Sequence, residues 1–433
     1  MSRIILHIDL NTFFVRCEEI KNPLLEGKPV AVGGVGRGGI VSTCSYKARE
    51  YGIHSGMPMF QAQMLCKNLI VIPCDFHNYE LYSREFIHYV RTYTSLVEQT
   101  SVDECFADFT NVYYQYGNNN IDEFLKEFQI GLFNKTKLKC SIGVAPTKFL
   151  AKMGSDMKKP NGITIIRKKD IPSKIFPLPI KAFFGIGKKT YPILEEIGIK
   201  TIGDLYYGIK SQRDDVNGII GSFSTSIISE LEGNSSFKIN TAPSDPKSIG
   251  TTSTFEENSD DSEFILPFMI QQTKSILKEL HKAKKLTKTI QLTYKNAKFD
   301  EESCQFKVKQ FSKTLMNPTN NDDTIIEAVR NLFKETYNGQ LIRMSGVCFQ
   351  NLTDAKDAKI QMTFDDFEND DSIDKTHDII ESLNREINKK MFFRASELKD
   401  EDLFKNGSKW CYFKIYSILF IWKKFNKNNN RRL

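Results

Sequence analysis

Two acidic residues stand side by side within a segment of strand-type composition, residues 101–108 (SVDECFAD). Burying Asp103 and Glu104 in a sheet without partners would cost several kcal/mol, so such a strand must expose or neutralise them. Because consecutive strand residues point to opposite faces, both side chains can serve one site only where the strand bends or ends. The segment therefore predicts either an exposed sheet edge or a site that binds cations.

A third acid follows a compact apolar run near the N-terminus. Residues 4–10 (IILHIDL) indicate a buried strand, and Asp9 lies at its end, where a sheet offers side chains to a cleft. A helix cap or a turn is the alternative interpretation of such an acid. Together with Asp103 and Glu104, Asp9 would form a three-carboxylate site for two Mg²⁺ ions, which prefer oxygen ligands and serve phosphoryl chemistry.

Two further segments carry groups that suit a triphosphate. Residues 43–49 (TCSYKAR) place a hydroxyl, a phenol and a guanidinium on one short stretch, and residues 158–162 (KKPNG) add a turn behind two ammonium groups. Guanidinium and ammonium groups are common phosphate partners. A solvated basic helix end is the alternative for KKPNG, but its place beside the predicted carboxylate site favours phosphate binding.

The composition indicates a folded protein. Of the 433 residues, 40% are hydrophobic, which suffices for a core and excludes wholesale disorder. The nine cysteines are an odd number without a C-x-x-C pair, so neither a disulfide framework nor a zinc site is indicated. The most apolar stretch, residues 411–422, is shorter than the roughly 20 residues of a membrane-spanning helix. We expect a soluble cytoplasmic protein without a membrane partner.

Hydrophobic patterns divide the chain into regions. Residues 1–166 mix strands and helices, as in one packed α+β layer, and short helices replace the strands from 168 to 237. Residues 238–246 hold two prolines and are typical of a linker. Residues 247–352 return to mixed α/β patterns, and the stretch from 353 is rich in Asp, Lys and Asn. The predicted helices of the first region are 46–52, 80–96, 122–133 and 145–157, and its predicted strands include 4–10, 39–43 and 138–144.

Two features suit a nucleic-acid backbone. Gly185 and Gly187, followed by Lys188 and Lys189, predict a helix-hairpin-helix-like element whose N–H groups hold a phosphate without reading sequence. A plain turn is the alternative. Residues 274–313 contain 11 lysines against 4 acids, a pattern of a solvated face or of a surface that follows a duplex. The net charge of +7 permits such a polyanionic partner.

The chain resembles the Y-family translesion DNA polymerases, in the branch of bacterial DNA polymerase IV. The motifs that carry this resemblance cover roughly residues 1–352 in the family's order. They are His7-Ile8-Asp9 with Phe13-Phe14, residues 39–49 (GIVSTCSYKAR), 101–108 (SVDECFAD), 141–162 (SIGVAPTKFLAKMGSDMKKPNG), the hairpin at 185–187, and 247–250 (KSIG).

The resemblance implies a multi-domain α+β protein with the right-hand polymerase architecture: a ferredoxin-like palm, small fingers, a helical thumb with a helix-hairpin-helix, and an α/β little finger. The implied bounds are palm 1–10 and 74–166, fingers 11–73, thumb 167–237, linker 238–246, little finger 247–352, and a flexible tail 353–433.

The resemblance also implies the site residues. Asp9, Asp103 and Glu104, with the main-chain carbonyl of Leu10, match the ligands of two Mg²⁺ ions. The triphosphate contacts match Thr43, Tyr46, Arg49 and Lys159. Phe13 and Phe14 match the aromatic pair under the incoming sugar, with Phe14 as the steric gate against ribose. Asn11 departs from many relatives, which carry Asp there, and that position lies off the metals in the family.

DNA and partner contacts follow from the same resemblance. Gly185, Gly187, Lys188, Lys189, Lys247 and Ser248 are the predicted DNA-binding residues. Gln361, Met362 and Phe364 resemble a sliding-clamp-binding peptide, although Thr363 stands where that peptide normally has an aliphatic residue.

These features predict a monomeric, template-directed DNA polymerase for translesion synthesis, with low fidelity and no proofreading. It would transfer a dNTP onto a primer 3′-hydroxyl with two Mg²⁺ ions, on primer-template DNA. Two alternatives from other classes are a catalytically inactive DNA-binding scaffold of the same fold and a palm-fold nucleotide cyclase. Primer extension with Mg²⁺ distinguishes a polymerase from the inactive scaffold. Affinity for DNA distinguishes a polymerase from the cyclase.

Overall fold

The protein is described from a computed structural model. It covers residues 3–116, 120–235, 238–242, 245–300 and 305–358, and the single positions 380, 383 and 392. The chain divides into two compact units, Met1–Asp245 and Pro246–Leu433. Both units mix helices and strands, which confirms the predicted α+β class. Across the described ranges, every helix is too short or too polar to cross a membrane.

The first unit contains two sheets and a series of short helices. Its strands are β1 (Ile5–Leu10), β2 (Val30–Gly33), β3 (Val41–Cys44), β4 (Ile70–Ile72), β5 (Val97–Gln99), β6 (Glu104–Asp108), β7 (Cys140–Ala145) and β8 (Ile163–Ile165). Its helices are α1 (Phe13–Lys21), α2 (Tyr46–Arg49), α3 (Met59–Leu65), α4 (Phe76–Arg91), α5 (Thr110–Tyr116), α6 (Ile121–Thr136), α7 (Lys148–Met157), α8 (Ile171–Lys174), α9 (Tyr191–Glu196), α10 (Ile202–Lys210), α11 (Asp214–Ile220) and α12 (Ser224–Leu231).

The larger sheet has the strand order β5-β6-β1-β7-β8, so β1 lies at its centre and pairs antiparallel with β6 and β7. All six residues of β1 are buried. Since alternate residues point to opposite faces, Leu6 and Ile8 enter the core shared with α4 and α6, whereas His7 and Asp9 face α7. The strand period therefore places two polar side chains on one face of an otherwise apolar strand.

The other parts of this unit form smaller layers. Strands β3-β2-β4 make a three-stranded sheet in which β2 pairs antiparallel with β3 and parallel with β4. Its core includes Ala31, Val41 and Met59. The short helices α8–α12 bury an aliphatic cluster that includes Leu194 and Leu205.

The second unit is a four-stranded antiparallel sheet with two helices on one face. Its elements are β9 (Ser248–Ser259), α13 (Ser262–Lys282), β10 (Lys285–Asp300), β11 (Gln305–Thr319), α14 (Asp322–Thr336) and β12 (Ile342–Asp354), with the sheet order β11-β10-β12-β9. Ile290 and Leu292 of β10 pack with Met269 of α13 and Val329 of α14. The opposite face carries polar side chains, among them Gln291 and Thr293.

The sequence does not predict every element of the first unit, and α1, α3, β4 and β8 are among those that it misses. Helix α1 begins after Thr12, which has a left-handed backbone (φ 46°) and provides no side-chain cap. Helix α3 follows Pro58 and also has no side-chain cap. Strands β4 and β8 are three residues long, too short for a period to be recognised. Tertiary packing, rather than local sequence, defines these four elements.

Candidate active site

The carboxylates of Asp9 and Glu104 meet because of strand register. Asp9 of β1 lies directly opposite Glu104 of β6 in the antiparallel ladder. The ligand atoms of His7, Asp9 and Glu104 all lie within 4.8 Å of one another. Directly paired residues on one face of a sheet are close neighbours, so the ladder brings together side chains that are 95 positions apart in sequence.

Two lysines from α7 and the turn after it neutralise these acids. Lys152 Nζ lies 2.6 Å from Glu104 Oε2 and 3.2 Å from Asp9 Oδ2. Lys159 Nζ lies 2.8 Å from Asp9 Oδ2 and 2.8 Å from Asp156 Oδ1. Although burial acts against the charged form, Glu104, Asp9 and Asp156 raise the pKa values of these two lysines. Both lysines are therefore charged at neutral pH.

His7 links the acids to the helix. Its Nε2 lies 3.3 Å from Glu104 Oε2, and its Nδ1 lies 2.8 Å from Ser155 Oγ. The Ser155 hydroxyl also donates to the main-chain oxygen of Lys152 at 2.8 Å. His7 first, and then Lys152, hold the pKa of Glu104 at about 2, although burial acts in the opposite direction. Glu104 is consequently ionised and ready to bind a cation.

Asp103 lies beside this cluster, outside the three residues whose ligand atoms all lie within 4.8 Å of one another. Residues 101–103 form a bend, and β6 begins only at Glu104, which is the geometry that two adjacent acids need to reach one site. The Asp103 carboxylate accepts a hydrogen bond of 2.5 Å from Ser101 Oγ. Burial, and then the charges of Asp9 and Glu104, raise the pKa of Asp103. A cation bound beside Asp103 would favour its ionised form and oppose this shift.

The residues fit a divalent metal ion. Asp9 and Glu104 supply hard oxygen donors at the distance that one ion can bridge, and Asp103 offers a third carboxylate next to them. The main chain at Leu10 is held to this group, because its N–H donates to the Asp103 carbonyl at 2.9 Å. The Leu10 side chain is buried in the apolar core, so only its main chain faces the site.

The turn that carries Lys159 is fastened to the end of β1 by amide side chains. Asn11 Nδ2 donates to Asn161 Oδ1 at 2.8 Å, and Ser141 Oγ donates to Asn11 Oδ1 at 2.9 Å. Asn161 has a left-handed backbone (φ 59°), which an asparagine tolerates well. Asn11 therefore holds the turn instead of adding a further negative charge to the cluster.

The predicted triphosphate residues of the 43–49 segment lie on β3 and α2. Arg49 Cζ lies 5.0 Å from the centre of the Tyr46 ring, a cation–π distance. Burial raises the pKa of Tyr46, and Lys159 and Asp9 are close enough to influence it as well. Thr43 is paired with Val32 in the small sheet and is half-buried. The structure thus brings Tyr46, with Arg49 beside its ring, near Lys159, across more than 100 residues of sequence.

The two adjacent phenylalanines occupy different environments. Phe13 is buried in the main core, whereas Phe14 is half-buried. The Phe14 ring stacks on the Tyr79 ring, with a centroid distance of 4.4 Å and an interplanar angle of 16°. Phe76 touches both rings edge-on. Phe14 is therefore the member of the pair that has both a solvent-facing part and a fixed support.

The predicted DNA-binding residues lie on other elements, before α9 and at the start of β9. Gly185 has a positive φ of 102°, which a residue with a side chain adopts only with strain. Lys188 and Lys189 are exposed before the six-residue helix α9. Lys247 and Ser248 are exposed at the start of β9 in the second unit. The predicted clamp-binding residues Gln361, Met362 and Phe364 lie outside the described residues.

Comparisons with known proteins identify the family of this chain. The impB/mucB/samB family matches residues 8–156, and the impB/mucB/samB family C-terminal domain matches residues 246–363. DNA polymerase IV 1 of Bacillus subtilis (strain 168) is 34% identical over 415 residues, which cover 94% of this chain and 96% of the relative. DNA polymerase IV of Bacillus anthracis is 33% identical over 400 residues, covering 92% and 94%. The chain belongs to the Y family of DNA polymerases, in its DNA polymerase IV branch.

Solved structures of Y-family polymerases share the fold. The Y-family DNA polymerase chimera Dbh-Dpo4(243-245)-Dbh has a TM-score of 0.70 and 25% identity, covering 81% of this chain and 99% of that chain. The insertion ternary complex of Dbh DNA polymerase has a TM-score of 0.54 and 25% identity, with the same coverage. These likenesses confirm the predicted right-hand polymerase fold.

Sequence reasoning missed the residues that hold this Y-family site together. It gave no role to His7, Lys152, Ser155 or Asn161, all of which contact the acids or their neighbours. One signal was available for Lys152. Lys148, Lys152 and Asp156 follow one another at intervals of four, so they share one face of α7. A helix with a charged stripe beside an acidic strand is a candidate to neutralise it.

Proposed function

We propose that Asp9, Asp103 and Glu104 of this translesion DNA polymerase form the site at which a dNTP is joined to a primer 3′-hydroxyl, opposite a template base. The observation that supports this proposal best is the pairing of Asp9 with Glu104 across β1 and β6, with two lysines over them. Y-family polymerases are metal-dependent. We assign two Mg²⁺ ions to Asp9, Asp103, Glu104 and the Leu10 carbonyl.

The residues of the chain have separate tasks in this reaction. When bound, the two Mg²⁺ ions would supply the charge that activates the 3′-hydroxyl and neutralises the triphosphate. Phosphoryl transfer asks the protein mainly to position reactants and stabilise negative charge. Lys159, Tyr46 and Arg49 would bind the triphosphate, with Thr43 beside them. Phe13 and Phe14 would lie under the sugar, and Phe14 would exclude a 2′-hydroxyl.

The domain bounds follow as part of the same proposal. We assign the palm to residues 1–10 and 74–166, the fingers to 11–73, the thumb to 167–237, the linker to 238–246 and the little finger to 247–352. The five-stranded sheet supports the palm assignment, and the polar sheet face of the second unit supports contact with DNA by the little finger.

DNA and a dNTP are the partners that the family supports. We propose that Gly185, Gly187, Lys188 and Lys189 hold a DNA phosphate, as do Lys247 and Ser248. We further propose that the enzyme is a monomer, which sedimentation analysis of the purified protein would test. We also propose that it acts in the cytoplasm.

The clamp proposal depends on the sequence string alone. Gln361, Met362 and Phe364 are proposed to bind a sliding clamp. Deletion of residues 361–367 should reduce stimulation by a clamp and leave unassisted synthesis unchanged. If the full chain shows no clamp stimulation, this string has no such role.

The decisive experiment is primer extension with Mg²⁺ and the variants Asp103→Ala and Glu104→Ala. Each should abolish incorporation while DNA binding survives, because these acids hold cations rather than the duplex. Glu80→Ala, which removes an exposed acid paired with Arg84, is the matched control and should extend primers normally. Substantial extension by either folded site variant would overturn the metal assignment. A scaffold would not extend primers at all, and a cyclase would turn over nucleotide without DNA.

A further inference from the structure

A buried acid lies one helical turn behind Phe14. Glu18 and Phe14 are four residues apart on α1 and therefore share one face of the helix. Glu18 is only 7% exposed, and its Oε1 accepts a hydrogen bond of 2.7 Å from the hydroxyl of Tyr79. A buried carboxylate is costly unless it is well paired, so this acid needs a physical reason for its place.

Tyr79 connects the acid to the Phe14 ring. It is 1% exposed on α4, and it presents its ring face to Phe14 and its hydroxyl to Glu18. Burial, and then the hydrogen bond to Glu18, raise the pKa of Tyr79, so the phenol keeps its proton and acts as the donor. The ring that supports Phe14 is thereby fixed at its far end.

Lys21, the cation nearest to the Glu18 carboxylate, does not compete with the hydrogen bond between Tyr79 and Glu18. Lys21 Nζ is 3.4 Å from Glu18 Oε1 but only 2.6 Å from Asp75 Oδ2, so the lysine is held mainly by Asp75. Asp75 also caps α4 by accepting from the N–H of Asn78. Within the described part of the chain, the Tyr79 hydroxyl is therefore closer to the Glu18 carboxylate than the Lys21 ammonium group is.

We propose that Glu18 is a positioning residue for sugar selection: through its hydrogen bond to Tyr79 it fixes the surface on which Phe14 stacks. The inference rests on the proposed role of Phe14 as the steric gate. Exclusion by a clash works only if the excluding ring cannot yield, and a ring is held by the packing and hydrogen bonds of its neighbours. A Tyr79 ring free to tilt would allow Phe14 to move away from a 2′-hydroxyl.

The test compares kcat/KM for a dNTP and the matching rNTP. Tyr79→Phe removes only the hydroxyl and should lower the dNTP/rNTP selectivity about fivefold, since discrimination depends on the held ring. Glu18→Ala should act similarly, whereas Glu18→Gln keeps an acceptor oxygen and should retain most of the selectivity. Glu19→Gln changes the adjacent acid, which pairs with Arg16 instead, and is the matched control.

A merely structural role would lower kcat/KM for both sugars together and leave their ratio unchanged. Tyr79→Phe should also add nothing to the selectivity change of Phe14→Ala, because the two residues act in series. If Phe14→Ala relaxes selectivity and Tyr79→Phe does not, the Glu18 inference is wrong while the gate stands. If Phe14→Ala has no effect on selectivity, the gate fails and the inference fails with it.

Discussion

At the scale of single residues, Lys152 is the side chain that joins the two facing acids. It contacts both Asp9 and Glu104 and is 13% exposed. Removing one partner from a buried ion pair leaves an uncompensated charge, which is more costly than the pair itself is worth. Lys152 therefore allows the acids to lie close together before any metal ion binds.

We expect Lys152→Met to destabilise the metal-free first unit by about 3 kcal/mol, because Glu104 then loses its lysine partner and repels Asp9, which only Lys159 still neutralises. Added Mg²⁺ should recover part of this loss, since a ligand that binds only the folded state stabilises it. The measurement is thermal unfolding with and without Mg²⁺. Lys148→Met is the control, because Lys148 pairs with Glu98 instead. An equal Mg²⁺ response in Lys152→Met and the parent protein would contradict this role.

Phe14 is the predicted steric gate, and its half-buried ring, stacked on Tyr79, suits a test of sugar selection. We expect Phe14→Ala to raise ribonucleotide incorporation at least about tenfold, on the order of 1.4 kcal/mol, with a smaller change for deoxynucleotides. Phe13→Leu, which keeps an apolar side chain in the core, is the control. The measurement is single-nucleotide insertion with each sugar. Relaxed selectivity in the Phe13 variant alone would show that the gate has been assigned to the wrong ring.

At the scale of elements, the packing of α7 against β7 positions the lysines. Gly143 of β7 lies so close to α7 that an added Cβ would meet the Ala151 carbonyl oxygen and the Ser155 amide nitrogen. Both atoms belong to the helix backbone, which cannot rotate away as a side chain can. The glycine therefore sets how closely α7, and with it Lys152, approaches the acids.

Gly143→Ala should displace α7 and destabilise the unit by about 2 kcal/mol, the usual cost of overpacking a core. Primer extension should fall more than DNA binding, because Lys152 moves while the exposed Lys188 and Lys189 do not. Gly218→Ala is the control, since a Cβ there meets nothing within 4 Å and Gly218 lies within α11. Full activity and stability of Gly143→Ala would mean that the helix can shift without consequence for the site.

At the scale of the whole molecule, charge governs the predicted interaction with DNA. The net charge is +7, and the proposed contacts are lysines and main-chain amides on phosphates. Affinity should fall with salt, because each phosphate that a lysine neutralises adds about −0.9 to the slope of log K against log salt, and it should depend little on sequence. The variant Lys188→Ala should flatten that slope by about one. A slope near zero, or a strong preference for one duplex sequence, would contradict this type of binding.

The sequence alone determined the acids and the long elements. Asp9 ends a recognisable apolar strand, residues 101–108 carry two acids that a buried strand does not tolerate, and the helix predicted at 145–157 is observed as α7. These features depend on residues that are neighbours in the chain, so local periodicity and the cost of burying charge reveal them. Family motifs then supplied the roles.

Only the tertiary structure decided which side chains surround the acids. Lys152 and Asp9 are 143 residues apart, and Tyr79 and Glu18 are 61 apart, so no local pattern connects them. The register of β1 with β6 brings His7 beside Glu104, and the close approach of α7 to Gly143 brings Lys152 over both acids. Such contacts arise when separate elements pack, because hydrogen bonds and ion pairs act over a few ångströms of space rather than along the chain.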